Sequence, residues 1–545
     1  MDVENELWDA VVVGTGMGGA TLGYALARAG QRVLFCEKGR SQLGNPRAIR
    51  GIYPEMEMRA AASNREASDL LANAGRCAEP IADRSSSRHR AFVPFIGAGT
   101  GGSTALFGMA LERFSPADFE PRRCYPDDVE ASLPERWPIS YAELEPYYQA
   151  AEVLYRVRGG RDPLRENTDP LPAAPPLTPA GAELYDFFQH RGLHPYRLPM
   201  ACEFVAGCSC CQGYLCDRRC KNDSSRICLQ PALSLHGATL VDDCEALKLE
   251  ATAERVTAVT CRIGGREVRL RCNIVVLAAG ALKTPCILLD SASATWPQGV
   301  ANSSGLVGRC LMRHYTDLYV IAPSDKAHGG TPFKELGLND FFHTDGDKLG
   351  TVQSFGSLPP ARVLAQAMAE DLGNGSMKWT LPFFGAARPA LEWMLRRLFS
   401  SKAILATVLE DLPYRENSVG PLRQRNGDAR LSISYTIRRR DLARIKKFRE
   451  IMKDVLRPYK PMVIKQAENN QRLAHACGTC RFGTDPDESV LDPNNRAHGL
   501  ANLYIVDGSF FPSSGGTNPA LTIAANALRV AHHLTGGRAR KSEAT

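Results

Sequence analysis

The chain has 545 residues, 44% hydrophobic and 23% charged, the balance of a folded enzyme rather than of a disordered or fibrous chain. That length exceeds what one ordinary core fills, so two domains, with the possibility of interleaving, are expected. The net charge of +7 is small for such a surface and forms no long basic block, which argues against nucleic-acid binding.

The first six residues, Met1 to Glu6, are acidic and lack an apolar stretch, so no secretory signal is read. No run of about 18 uncharged apolar residues points to a transmembrane helix. The expected location is the cytoplasm. There the 17 cysteines would stay reduced, which turns attention from disulfides to cofactor ligands or buried thiols.

In chain order, the first element is an apolar strand, Asp9 to Val13, running into Gly14-Thr15-Gly16-Met17-Gly18-Gly19 and a helix that ends near Ala29-Gly30. A second strand, Arg32 to Cys36, stops at Glu37. This is a dinucleotide-binding pattern. Gly14 allows the tight turn, Gly16 lets backbone approach a diphosphate, and Gly19 lets helix and strand pack closely. The helix N-terminus favours the phosphates, and Glu37 is placed to accept from ribose hydroxyls.

The segment Asp162 to Pro179 is proline-rich and reads as a surface excursion. Asn273 to Ala279 is another buried parallel strand ending at Gly280. Between Arg313 and about Pro461 the dinucleotide pattern is lost. Within that stretch Trp379 to Leu409 reads as a helical hairpin, Arg430 to Tyr435 as a strand and Arg438 to Leu456 as a basic amphipathic helix. A last strand, Leu503 to Val506, ends in Asp507-Gly508, suited to a flavin's ribityl chain. Strands from both ends and the middle of the chain imply a sheet with other material inserted between them.

The C-terminal part carries the densest chemistry: His475-Ala476-Cys477-Gly478-Thr479, and Asn518-Pro519-Ala520-Leu521-Thr522-Ile523 opening the final helix. With the Asp507-Gly508 strand, these motifs resemble the glucose–methanol–choline (GMC) oxidoreductases, and the resemblance runs along nearly the whole chain. It implies an α/β fold in which a Rossmann-like FAD-binding domain (1–136, 230–312 and 466–545) is interleaved with an α+β substrate domain and a cysteine-rich loop (137–229 and 313–465). Gly101-Gly102-Ser103-Thr104, followed by Arg113-Phe114, looks like the family's flavin-covering segment. Gly14, Gly16, Gly19, Glu37, Gly101, Gly102, Ser103, Asp507, Gly508 and Asn518 are thus expected at the cofactor.

The resemblance also makes His475 and Asn518 the catalytic pair. Hydride loss from an alcohol carbon requires removal of the hydroxyl proton, for which a neutral histidine is suited; the asparagine would hold the oxygen. The expected activity is oxidation of an alcohol, on a sugar, aminosugar or cyclitol, with oxygen or an electron-acceptor protein as the partner. A non-redox FAD-containing lyase of the same fold and an electron-transfer flavoprotein subunit are the alternatives.

The chain departs from the family in two places. Leu106 stands where pyranose oxidases carry the flavin-linking histidine, so the FAD is expected to be non-covalent. The usual Leu-Met-Asp-His-Pro becomes Leu311-Met312-Arg313-His314-Tyr315, so no role is carried over to His314. Seven cysteines crowd between Cys202 and Cys228. By resemblance to FAD-dependent glucose dehydrogenases, Cys210, Cys216 and Cys220 are candidate ligands of a three-iron, four-sulfur cluster. Buried thiols acting as small hydrophobic side chains are the alternative.

Overall fold

The computed structural model describes the chain except residues 1–2, 59–62, 87–89, 166–168, 325–333, 345–346, 357, 375–380, 400–401, 423–428, 474 and 538–545. Its centre is a seven-stranded sheet in which Leu7–Val13 lies parallel to Val33–Cys36 on one side and to Arg266–Leu277 on the other. Val12 is the hinge of this register, opposite both Phe35 and Val276. Leu503–Ile505 joins in parallel with the second half of Arg266–Leu277. The first half of that strand pairs antiparallel with Val256–Ile263. Its sequence reflects the two environments: alternation where one face is exposed, then an unbroken apolar run where both faces are covered. Only the second half was readable as a strand from its composition.

The helix Met17–Arg28 packs on this sheet so closely that a Cβ on Gly23 would collide with the Phe35 ring. Val11, Val12, Leu34, Phe35, Val275, Val276 and Val506 are all sealed from solvent, and their burial is the main source of stability for this unit.

A six-stranded antiparallel sheet runs in the order Met462–Ile464, Leu318–Ile321, Ala403–Leu409, Gly350–Ser354, Leu336–Leu338, Tyr196–Arg197. Here one expectation is corrected. Trp379 and its neighbour 380, with 400–401, lie outside the described residues; in the rest of the stretch to Leu409, Leu381–Phe399 is one helix, packed with Ala361–Asn374, and Ala403–Leu409 is a central strand, not the second arm of a helical hairpin. The β-branched and small residues of Ala403-Ile404-Leu405-Ala406-Thr407-Val408-Leu409 suit the pleated sheet, and the apolar run hid the change of element. The strand and helix expected next lie at Leu431–Ser434 and Arg439–Val455. Among the described residues no helix is long and apolar enough to cross a membrane.

Candidate active site

The dinucleotide turn is built from glycines that have no alternative. Gly14 has φ +99°, and a Cβ there would run into the Ala278 carbonyl. Gly19 would meet the Gly14 carbonyl oxygen, and Gly18, which the sequence reading left without a role, would meet that of Val506. At Gly16 the Cβ direction is open, with no atom within 4 Å, so this is the point where an outside group can approach the backbone. The Gly101-Gly102-Ser103 segment closes the other side: a Cβ on Gly102 would lie 3.1 Å from the Gly16 Cα.

Thr15 ties these pieces together. Its hydroxyl donates to Glu37 Oε2 at 2.6 Å and accepts from the Gly101 N–H at 3.3 Å, while its own N–H also donates to Glu37. Ser224 donates to the Thr15 carbonyl at 3.1 Å and meets Thr104 Oγ1 at 2.9 Å. Both tie together residues far apart in sequence, and no motif reveals them. Glu37 Oε1 accepts from the Gly39 N–H, so the acid first organises its own loop and keeps its remaining lone pairs for a ligand. Burial raises its pKa, and these hydrogen bonds oppose the rise.

Asp507 behaves similarly. It accepts from the Gly280 N–H at 2.9 Å, from Thr284 Oγ1 at 2.5 Å and from the Ser509 N–H at 2.9 Å. It therefore locks together the ends of two parallel strands. Gly508 accepts from the Gly478 N–H at 3.0 Å, which fastens the histidine-bearing loop to the same corner.

His475 and Asn518 are brought together. Asn518 Nδ2 lies 3.5 Å from His475 Nε2, and Asn518 Oδ1 accepts from Gln353 Nε2 at 2.6 Å. His475 has φ +60°, an uncommon conformation for a residue with a side chain. It is held by reciprocal N–H to carbonyl bonds of 2.9 Å between Met312 and Cys477. That bridge sets His314 beside it, with the two Nδ1 atoms 2.9 Å apart and His314 Nε2 2.9 Å from the Gly515 carbonyl oxygen. Burial, then the neighbouring His314 and Lys334, hold the His475 pKa well below the usual imidazole value. The ring is neutral at pH 7 and able to accept a proton.

Around this pair lie further buried polar groups that no sequence motif marks. Glu112 accepts from Thr517 Oγ1 at 2.9 Å, from Tyr196 OH at 2.5 Å and from Asn339 Nδ2 at 3.0 Å. The N–H of Thr351 donates to the Gly516 carbonyl at 2.9 Å, which seats the six-stranded sheet against the Asn518 loop.

The cysteine loop is assembled differently from expectation. The sulfurs of Cys202, Cys208 and Cys220 lie within 4.8 Å of one another; Cys210 stays outside that triple, although it shares a small core with Cys202 and Cys220 beside Met109, Ala110 and Tyr196. Of the expected set, Cys216 contacts only the edge of the triple, 3.5 Å from Cys220. Hydrogen bonds from Cys202 and Cys220 hold the Cys208 thiol far below its ordinary pKa, and those from Cys211 and Cys220 do so for Cys216. Cys36, Cys244 and Cys261 make a second, wholly buried triple in the seven-stranded sheet. All 17 cysteines are unpaired.

Comparison with known proteins follows the same outline. Family profiles described as GMC oxidoreductase match residues 139–316 and 413–527. The chain is 30% identical over 562 residues to paromamine 6'-oxidase of Streptomyces fradiae, covering 98% of this chain and 92% of that protein. It is 30% identical to 6'''-hydroxyparomomycin C oxidase of Streptomyces lividus, covering 98% and 93%. Identity to 2-methyl-1,2-propanediol dehydrogenase of Mycolicibacterium austroafricanum is 25%, covering 97% and 95%. A crystal structure of pyridoxine 4-oxidase from Mesorbium loti superimposes with a TM-score of 0.61 at 19% identity, covering 96% of this chain and 99% of that one, which establishes likeness of fold.

Proposed function

Because the chain belongs to the GMC oxidoreductase family and is an FAD-dependent alcohol oxidoreductase, we propose that it oxidises an alcohol of an aminosugar, with His475 as base and Asn518 as hydrogen-bond donor to the reacting oxygen. The observation that carries this reading is the convergence of His475 Nε2 and Asn518 Nδ2, 3.5 Å apart, one able to accept a proton and one able to donate a hydrogen bond. A hydroxyl facing both gives its proton to the imidazole while its oxygen is held by the amide. The full-length relatives named as oxidases of paromamine and of hydroxyparomomycin support the aminosugar class. Oxygen or an electron-acceptor protein completes the turnover.

FAD fits the residues present: the open Gly16 position, the glycines crowded around it and Glu37 form a cradle that added side chains would fill. Gly14, Gly16, Gly19, Glu37, Gly101, Gly102, Ser103, Asp507 and Gly508 would hold it. It supplies the hydride acceptor when bound. Leu106, buried against Ala105 and Leu215, offers no atom for a covalent link.

The expected iron–sulfur cluster does not fit the sulfur triple: with the Cys202, Cys208 and Cys220 sulfurs all within 4.8 Å of one another, they stand too close for each to hold a different iron. Anaerobic titration of the purified flavoprotein with paromamine-like aminosugars, neutral sugars and diols tests the main reading through the flavin absorbance. Bleaching by aminosugars is expected; turnover without any bleaching would refute a redox reaction. Iron and acid-labile sulfide analysis of the same sample decides the cluster.

A further inference from the structure

We infer that His314 is a positioning residue that fixes the tautomer of His475, so that Nε2 always presents its lone pair to the substrate hydroxyl. The inference rests on the reading of His475 as the base. It follows from counting donors along a chain of four contacts. A backbone carbonyl only accepts, so the 2.9 Å contact of His314 Nε2 with the Gly515 oxygen places a proton on that nitrogen. His314 is 1% exposed, and its buried ring carries one proton, which leaves Nδ1 bare. Across the 2.9 Å gap between the two Nδ1 atoms the donor must then be His475. With its proton on Nδ1, His475 has a free lone pair on Nε2.

The same count orients Asn518. An amide oxygen facing the bare Nε2 would set two lone pairs against each other, so the amide turns its Nδ2 toward His475 and its Oδ1 toward Gln353, as observed at 3.5 and 2.6 Å. The Gly515 carbonyl thus determines, through two imidazoles, which atoms of base and asparagine face the substrate. When His475 takes the hydroxyl proton its Nδ1–H stays bonded to His314, so no rearrangement accompanies the transfer. Lys334 faces His475, and Glu410 and Lys348 lie within electrostatic range of His314.

Three substitutions separate positioning from packing. His314→Asn keeps an acceptor where Nδ1 stood, His314→Gln keeps only a donor toward Gly515, and His314→Phe keeps only shape. Flavin reduction is followed in the FAD-loaded enzyme by anaerobic stopped flow against pH. His314→Phe and His314→Gln are expected to slow reduction by about 10²–10⁴-fold, with a rate that rises with pH and with alcohol acidity instead of reaching a plateau. His314→Asn is expected to stay within about tenfold of the native rate and to keep the plateau. Equal rates for His314→Asn and His314→Gln would overturn the inference, even if His314→Phe does not fold. A His475→Ala control separates the two readings. If it reduces flavin at the native rate, the base assignment fails; if it is slow while His314→Gln is native-like, only the role of His314 fails.

Discussion

Replacing Lys348 with methionine removes the cation that bridges two buried carboxylates. Lys348 pairs with Asp118 and with Glu410 Oε2, the latter at 2.9 Å, and all three side chains are 0% exposed. Burial alone would depress its ammonium, but Asp118 and Glu410 outweigh burial and hold its pKa above the ordinary lysine value. At an effective dielectric constant of 20, a pair 2.9 Å apart attracts by about 6 kcal/mol, part of which offsets desolvation. Without the lysine, one carboxylate has to take a proton. A forced rise of about three pKa units costs about 4 kcal/mol. The expected loss is therefore about 3–5 kcal/mol, read as the shift in the urea unfolding curve of the flavin-loaded protein. The sign of the pH dependence is set by the raised carboxyl in the folded variant. Its deficit is fully developed at pH 7–8 and shrinks as pH falls toward the unfolded carboxyl value. A variant within about 1 kcal/mol of native, or a deficit independent of pH, would refute the reasoning.

Gly14→Ala forces a side chain at φ +99° into the Ala278 carbonyl; the purified protein should lack flavin absorbance, and full occupancy would show that the turn relaxes freely. His475→Ala should lower kcat by about 10²–10⁴-fold while flavin content stays native. Because burial depresses the His475 pKa, the acid limb of kcat/KM should fall below about pH 6.5. Its neutral form also contributes stability that is present above that value and lost as pH falls. Because the Cys202, Cys208 and Cys220 sulfurs crowd within 4.8 Å of one another, iron and acid-labile sulfide should be far below three irons per chain; three irons per chain, lost in Cys210→Ser, would restore the ligand set Cys210, Cys216 and Cys220.

The dinucleotide half was legible because each of its residues answers a local demand. Gly14 and Gly19 lie where any side chain would strike backbone, and a strand, turn and helix in sequence declare that demand within thirty or so residues. The cysteine loop was not legible for the opposite reason. Left-handed corners at Phe204, Cys210 and Arg219 reverse the chain between cysteines, so spacing along the sequence says little about which sulfurs meet. The strand at Ala403–Leu409 was hidden by its own apolarity, since a short apolar run carries no period that tells a buried strand from a helix.

His475 and Asn518 were legible as residues, but their chemistry was not. A histidine in a motif has two neutral forms, and only one of them accepts a proton at Nε2. The choice is made by His314, which comes from the start of a different segment, and by the Gly515 carbonyl, a backbone atom with no signature in the sequence. The Met312 and Cys477 hydrogen bonds are what make the two segments neighbours, and the left-handed turn at His475 is what aims one ring at the other. Gln353, on a strand of the six-stranded sheet, then fixes the asparagine from the opposite side. The proposed base thus comes from the C-terminal loop, but its readiness to act is set by groups contributed from outside it. Substitutions near residues 312–315 and 353 should therefore affect the proton-transfer step while leaving the nucleotide turn unchanged.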